Sequence, residues 1–325
     1  LKPSALVVLA AIGGMHLAQA ADLPTFDAKR LAQDVRELSS DAYEGRAVAT
    51  PGEVKTLAYL IAQFKAAGLQ PAGDLVKGKR AWTQDVPLGR FEITGPVAVS
   101  VADATGRTAY TQGAEIAVRA AMNGARQVAI ADAPLVFVGY GVTAPERNWD
   151  DFKGVDLKGK IAVVLINDPD FEGGEGDFGG KAMTYYGRWT YKFDEMARRG
   201  AVGTLIVHET APAAYGWATV KNSNTNVMYD IARQDPASAH SVLEAWIQRD
   251  AVVDLFKRAG LDFDAAKKQA RTRAFQPVPL AGVTFSTTFA VDARVIQSKN
   301  VAAMRRGSKH PNEYVMYSAH WDHLG

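Results

Sequence analysis

Residues 161–166 form an uninterrupted apolar run, Ile-Ala-Val-Val-Leu-Ile, entered through the turn sequence Asp156-Leu157-Lys158-Gly159-Lys160. A run of this kind is the pattern of a strand buried on both faces. The stretch 191–199 reads as a helix ended by Gly200, and a second apolar run follows at 203–207. Strand, helix and strand in that order define a βαβ unit, so the chain is read as α/β, with residues from about 130 to 210 as a small α/β domain. With 325 residues, 47% of them hydrophobic, there is material for a substantial core and roughly two domains at ~150 residues each.

The texture on either side differs. After Thr83 the segments 84–88, 97–101 (with Gly106 at a turn) and 135–138, the last running into Gly139-Tyr140-Gly141, read as short strands. Val242, Leu243, Trp246, Val253, Leu255 and Phe256 suggest one helix over 241–258, capped by Gly260-Leu261. Strands are then expected at 283–296, 300–304 and 314–318. Near the start, Leu31, Val35 and Leu38 mark a helix over about 27–38. A second helix is punctuated by Thr50-Pro51-Gly52-Glu53, a capping box with Pro at the first helical position, and by Gly68-Leu69 with Pro71 at its end. Val54, Leu57, Ile61 and Phe64 form its expected packing face. The turn between them, 39–46, is explained mostly by polar turn residues.

Charge excludes two classes of partner. Against 37 basic residues stand 35 acidic ones, a net of +2, so bulk electrostatics point to neither nucleic acid nor an anionic membrane surface. Lys2, the apolar stretch 5–12 and Ala18-Gln19-Ala20 have the layout of a secretory signal peptide over residues 1–20, with mature protein from near Ala21. The apolar stretch is short of the ~20 residues a membrane-spanning helix needs. A secreted or periplasmic location follows, with no membrane association after signal removal. There is no cysteine, so any metal must be held by His and carboxylates.

The chemically richest run is Ser318-Ala319-His320-Trp321-Asp322-His323-Leu324-Gly325. On a strand, His320 and Asp322 would emerge on one face and Trp321 on the other. A carboxylate on the same face can hold the second ring N–H of a metal-bound imidazole, or both residues can touch one metal. The alternative is a hydrogen-bonded pair at a strand end. His323, His208, His240 and His310 carry no comparable pattern. The run 168–180 holds Asp168, Asp170, Glu172, Glu175 and Asp177, hard oxygen donors of the kind calcium takes. It lacks the EF-hand ligand order, and an acidic loop is the simpler reading. No Gly-x-Ser-x-Gly and no phosphate-binding lysine motif is present.

The stretch 315–325, Val-Met-Tyr-Ser-Ala-His-Trp-Asp-His-Leu-Gly, resembles the first metal-binding strand of the di-zinc aminopeptidases related to glutamate carboxypeptidase II, metallopeptidase family twenty-eight. The stretch 38–46 with Thr50-Pro51-Gly52 is similar to the N-terminal segment of bacterial members. Residues 138–142 through 156–160, then 185–189 and 200–203, are similar to their protease-associated insert. The resemblance implies a zinc-exopeptidase mixed sheet flanked by helices and interrupted by a protease-associated α/β domain. It divides the chain into 21–115 as the first part of the peptidase domain, 116–282 as the insert with its flanking helix, and 283–325 as the start of the zinc core. It also implies two zinc ions in the complete enzyme, not expected to be retained by this chain alone, a peptide substrate, His320 as the first zinc ligand and Asp322 as its supporting carboxylate; His323 matches no ligand. The family's bridging Asp, its Glu pair, its later Asp and its last His are expected beyond Gly325. The chain by itself is therefore expected to be an inactive fragment with an incomplete sheet. A second reading, from another class, is a non-catalytic peptide- or protein-binding module built on the protease-associated region. An iron oxygenase facial triad, which also uses His-x-Asp, lacks its distal His.

Overall fold

The computed structural model describes residues 25–323 apart from Glu175; the expected signal peptide and the last two residues of the Ser318–Gly325 run, Leu324 and Gly325, lie outside the described residues. The chain divides into two compact units, one made of the residues up to Leu60 together with those from Val315 onward, the other spanning Ile61–Tyr314.

The larger unit is built on a nine-stranded mixed sheet. Its strands are β1 (Thr83–Asp103), β2 (Gly106–Tyr110), β3 (Ile116–Val118), β4 (Gln127–Phe137), β5 (Ile161–Leu165), β6 (Gly203–His208), β7 (Met228–Ile231), β8 (Leu243–Gln248) and β9 (Val278–Val301). Their order across the sheet is β7-β1-β9-β4-β5-β6-β8-β3, with β2 added to β1. The inner strands β4, β5, β6 and β8 are parallel, and β9 and β3 flank them antiparallel.

The expected central strand is β5, and every one of its residues is buried. Its side chains alternate between two layers. Ile161, Val163 and Leu165 join one apolar cluster with Leu205, Val207, Leu243 and Phe256, whereas Ala162, Val164 and Ile166 join another with Ile206, Trp246, Phe193 and Met196. Period-two alternation into two cores requires a sheet covered on both faces. Helices α3 (Trp189–Arg198) and α4 (Trp217–Asn224) supply Phe193, Met196 and Val220 to one cover. Helices α5 (Arg249–Arg258) and α6 (Phe263–Gln269) supply Val252, Leu255, Phe256 and Phe263 to the other. Phe137 sits edge-on to Phe256, Phe263 and Phe275 at centroid distances of 5.3, 6.2 and 5.8 Å. Each such pair adds about 0.5–1.5 kcal/mol beyond simple burial. The loop leaving β4 passes close to both covers. Gly139 and Gly141 have φ of 58° and 61°, and a Cβ on Gly141 would lie 2.8 Å from Met196 Cε and from Val164 Cγ2. Left-handed backbone in so tight a space is open only to glycine.

Several expectations are corrected. The helix read over 241–258 is instead β8 followed by α5. Leu243–Ile247 pairs in parallel with Gly203–Val207, and the chain turns helical only at Arg249. A short apolar run cannot be assigned by periodicity alone, and here an open sheet edge took it. The predicted strands 283–296 and 300–304 are one 24-residue strand, β9, plus the pair Ala303–Met304, and β9 lies along the 21-residue β1 through a bulge near Thr288. Residues 314–318 form no strand.

In the smaller unit, α1 (Ala28–Leu38) starts at Asp27, whose carboxylate accepts from the Lys29 and Arg30 amides. Its stripe does not pack as expected: Leu31 and Val35 are exposed. Helix α2 (Pro51–Ala66) begins where the capping sequence places it and closes with Leu69 N–H on the Phe64 carbonyl, Gly68 having φ 72°. The cap itself is shifted. Glu53 accepts the amide of Ala49, and the Thr50 hydroxyl donates to the Ala47 carbonyl. The buried face in its first turns is Gly52, Glu53, Thr56 and Leu57, while Val54 faces solvent.

Candidate functional site

The His-Trp-Asp-His segment belongs to the smaller unit, where a tight turn receives it. Residues Asp41–Arg46 form a 3-10 turn in which Glu44 (φ 50°, ψ 39°), Gly45 (φ 71°, ψ 0°) and Arg46 (φ 60°) all lie in the left-handed region. Two things hold this turn. Tyr43 is buried edge-on to Tyr59 at 6.5 Å and donates to Glu37 at 2.9 Å. Gly52 lies so close that a Cβ there would fall 2.2 Å from the Tyr43 carbonyl oxygen. Tyr59 donates to Asp34 at 2.5 Å; that bond, reinforced by burial, pushes the phenol up to about 12.

Arg46 then reaches the segment. Its Nε donates to the Trp321 carbonyl at 3.0 Å, its Nη1 to the Leu38 carbonyl, and its own carbonyl accepts the His323 amide at 3.2 Å. Within the segment, His320 Nδ1 lies 2.8 Å from the Asp322 main-chain oxygen and 3.6 Å from the Asp322 carboxylate. A carbonyl can only accept, so Nδ1 carries the proton and Nε2 holds its lone pair free. The His320 side chain is 79% exposed. An imidazole tied back through one nitrogen, with the other open, is the arrangement of a metal ligand.

That arrangement fits one ligand of a zinc ion. It does not complete a centre, because among the described residues no group of three His, Asp or Glu side chains is placed to hold a metal. No hydrolytic step is therefore derived through zinc.

Three further histidines among the described residues have other occupations. His208, at the end of β6, is buried with Nε2 3.0 Å from the Tyr215 carbonyl and its ring against Trp217 and Trp246. His310 is exposed beside Glu313 at 3.3 Å. His240 is held on both sides, Nδ1 2.8 Å from Glu244 of β8 and Nε2 3.1 Å from Asp230 of β7. Burial works against its charge, but the two carboxylates outweigh burial and raise its pKa. Arg119 lies 3.3 Å from Glu244 and Arg233 2.6 Å from Asp230, with Asp194 and Arg198 of α3 contributing to the same field. His240 is thus a clasp between β8 and the edge strand β7.

The acidic run 168–180 is wired internally. Asp168 accepts from the Thr184 amide and hydroxyl at 3.0 and 2.8 Å, and Asp170 accepts the amides of Gly176, at 3.0 Å, and Phe178. Glu172 pairs with Lys267 and Arg271 at 2.8 and 2.9 Å, and Asp177 with Arg273. Oδ1 of Asp168 and Oδ2 of Asp177 are buried without a hydrogen-bond partner among the described residues.

A cluster the sequence reading missed lies at the carboxyl ends of β4 and β5. Lys192 of α3 is wholly buried and donates to the carbonyls of Tyr140 (2.5 Å) and Asn167 (2.8 Å). Burial pushes its pKa down, opposed by Asp151 and Asp168. Asp151, itself pushed up by burial, accepts from the Val142 amide and the Trp149 indole at 2.9 and 2.8 Å. Lys192 follows Tyr191 on a helix face whose neighbours Phe193 and Met196 are apolar, and nothing in that pattern marks it as buried.

No family model matches the sequence, and no curated protein matches it. Among solved structures, the chain is similar to an aminopeptidase from Aneurinibacillus sp. strain AM-1, at 17% identity and a TM-score of 0.41 over 87% of this chain and 49% of that one. It is also similar to two structures of BSAP, a zinc aminopeptidase from Bacillus subtilis, each at 15% identity over 88% of this chain and 48% of that one, with TM-scores of 0.35 and 0.36. The chain spans about half the length of these structures.

Proposed function

We propose that this chain is part of a secreted or periplasmic zinc-dependent aminopeptidase that removes N-terminal residues from peptides, with His320 a zinc ligand through Nε2 and Asp322 its support. On this reading residues 116–282 are a protease-associated insert, and the complete centre holds two zinc ions. The observation that carries it is the imidazole of His320. Its Nδ1–H is committed to the Asp322 carbonyl and its Nε2 is open, in a segment whose sequence resembles a zinc-binding strand. A zinc ion held there supplies Lewis acidity, polarising a scissile carbonyl and acidifying bound water. The chain's own part is to present one imidazole and keep it oriented.

In the protein as its cell makes it, His320→Ala is expected to abolish hydrolysis of aminoacyl chromogenic substrates while leaving the unfolding transition of the larger unit unchanged. Turnover that survives the substitution would falsify the assignment of His320. Peptide binding without turnover, indifferent to His320→Ala, would favour the binding-module reading instead.

A further inference from the structure

We infer that Arg46 is a positioning residue for the zinc-ligand segment, an inference that rests on the reading of His320 above. Residues 314–317 are largely exposed, and Tyr317 is 94% exposed. Order at His320 therefore has to come from farther along the segment. Arg46 holds it on both sides of Asp322, through the Trp321 carbonyl to one side and the His323 amide to the other. Both bonds need the left-handed conformation of the turn, which aims the Arg46 carbonyl at His323 while its guanidinium spans Leu38 and Trp321. A non-glycine residue keeps such a conformation only where its surroundings fix it. Here Tyr43, packed against Tyr59 and overlain by Gly52, does so. The planar guanidinium donates to two carbonyls at once in a fixed fork, which a lysine ammonium cannot reproduce. With residues 321 and 323 held, the Asp322 main-chain oxygen is fixed where His320 Nδ1 donates, so Nε2 points one way.

The test uses two variants of the full chain. Arg46→Gly tolerates positive φ and leaves the main-chain carbonyl that faces His323 while deleting the fork; Arg46→Lys keeps the charge. Amide hydrogen exchange at His323 is expected to speed up at least ~10-fold in Arg46→Gly and less in Arg46→Lys. Zinc affinity is expected to fall about 10-fold or more, the usual cost of losing a residue that orients a ligand. The hydrogen bond of Tyr59 to Asp34 and its edge-on contact with Tyr43 should stay in place, showing that the turn's own packing survives. Unchanged exchange at His323 overturns the inference, as does wild-type zinc affinity in Arg46→Gly. If the complete enzyme takes no zinc, the reading of His320 fails, and the exchange result still decides the role of Arg46.

Discussion

Leu165 and Val315 lie in apolar runs that look alike along the sequence, yet Leu165 is 1% exposed and Val315 is 85% exposed. The difference lies in neighbours. Leu165 closes β5, which has β4 and β6 hydrogen-bonded along its sides and apolar clusters on both faces. Val315 has no strand beside it among the described residues. An apolar run states that a segment needs cover, and it does not say which surface supplies it. Burial of one such side chain contributes about 1.5–3 kcal/mol, so the two runs should respond very differently to the same substitution.

The largest contrast is expected at Phe137, where three aromatic rings meet. Phe137→Ala should destabilise the larger unit by about 3–5 kcal/mol in urea unfolding, whereas a loss under about 1 kcal/mol would mean the aromatic cluster does not hold the sheet. A middle-sized effect belongs to the His240 clasp. Its folded pKa is raised above the ordinary ~6.5, so its stabilisation is fully present below that pH and is lost as pH rises through the folded value. Stability should therefore fall as pH is raised from about 6. His240→Gln should flatten the profile; an unchanged slope would remove His240 from the account. The smallest effect is expected in the exposed run. Met316→Ser should shift unfolding by less than about 0.5 kcal/mol, and a larger loss would show that the run is covered after all.

What the sequence disclosed follows the same division. Local chemistry was readable: the turn before Ile161, the Gly200 and Gly260 helix ends, the Asp27 and Pro51 helix starts. Where an apolar stretch could serve either element, as over 241–258, pairing with the strand Gly203–His208 decided, and no local signal reports such a partner. Buried polar partners were the least legible. Lys192 finds its acceptors at Tyr140 and Asn167, His240 bridges two strands, and Arg46 meets Trp321 across 275 positions of sequence. The turn 39–46 looked like a polar linker because the purpose of its arginine lies at the other end of the chain. His320 and Asp322 stood out by residue type, but the strand meant to align them did not form. Their geometry comes from a main-chain carbonyl and from Arg46.

The central claim is that His320 offers Nε2, and only Nε2, to a zinc ion. Imidazole nitrogen NMR of the complete enzyme, labelled at histidine and titrated with zinc, tests it most directly. The account predicts that Nε2 of His320 shifts first while Nδ1 keeps the signature of a protonated nitrogen, and that His208 and His240 stay unmoved at the same zinc concentration. A response at Nδ1, or zinc taken by His208 or His240 in preference to His320, would contradict it.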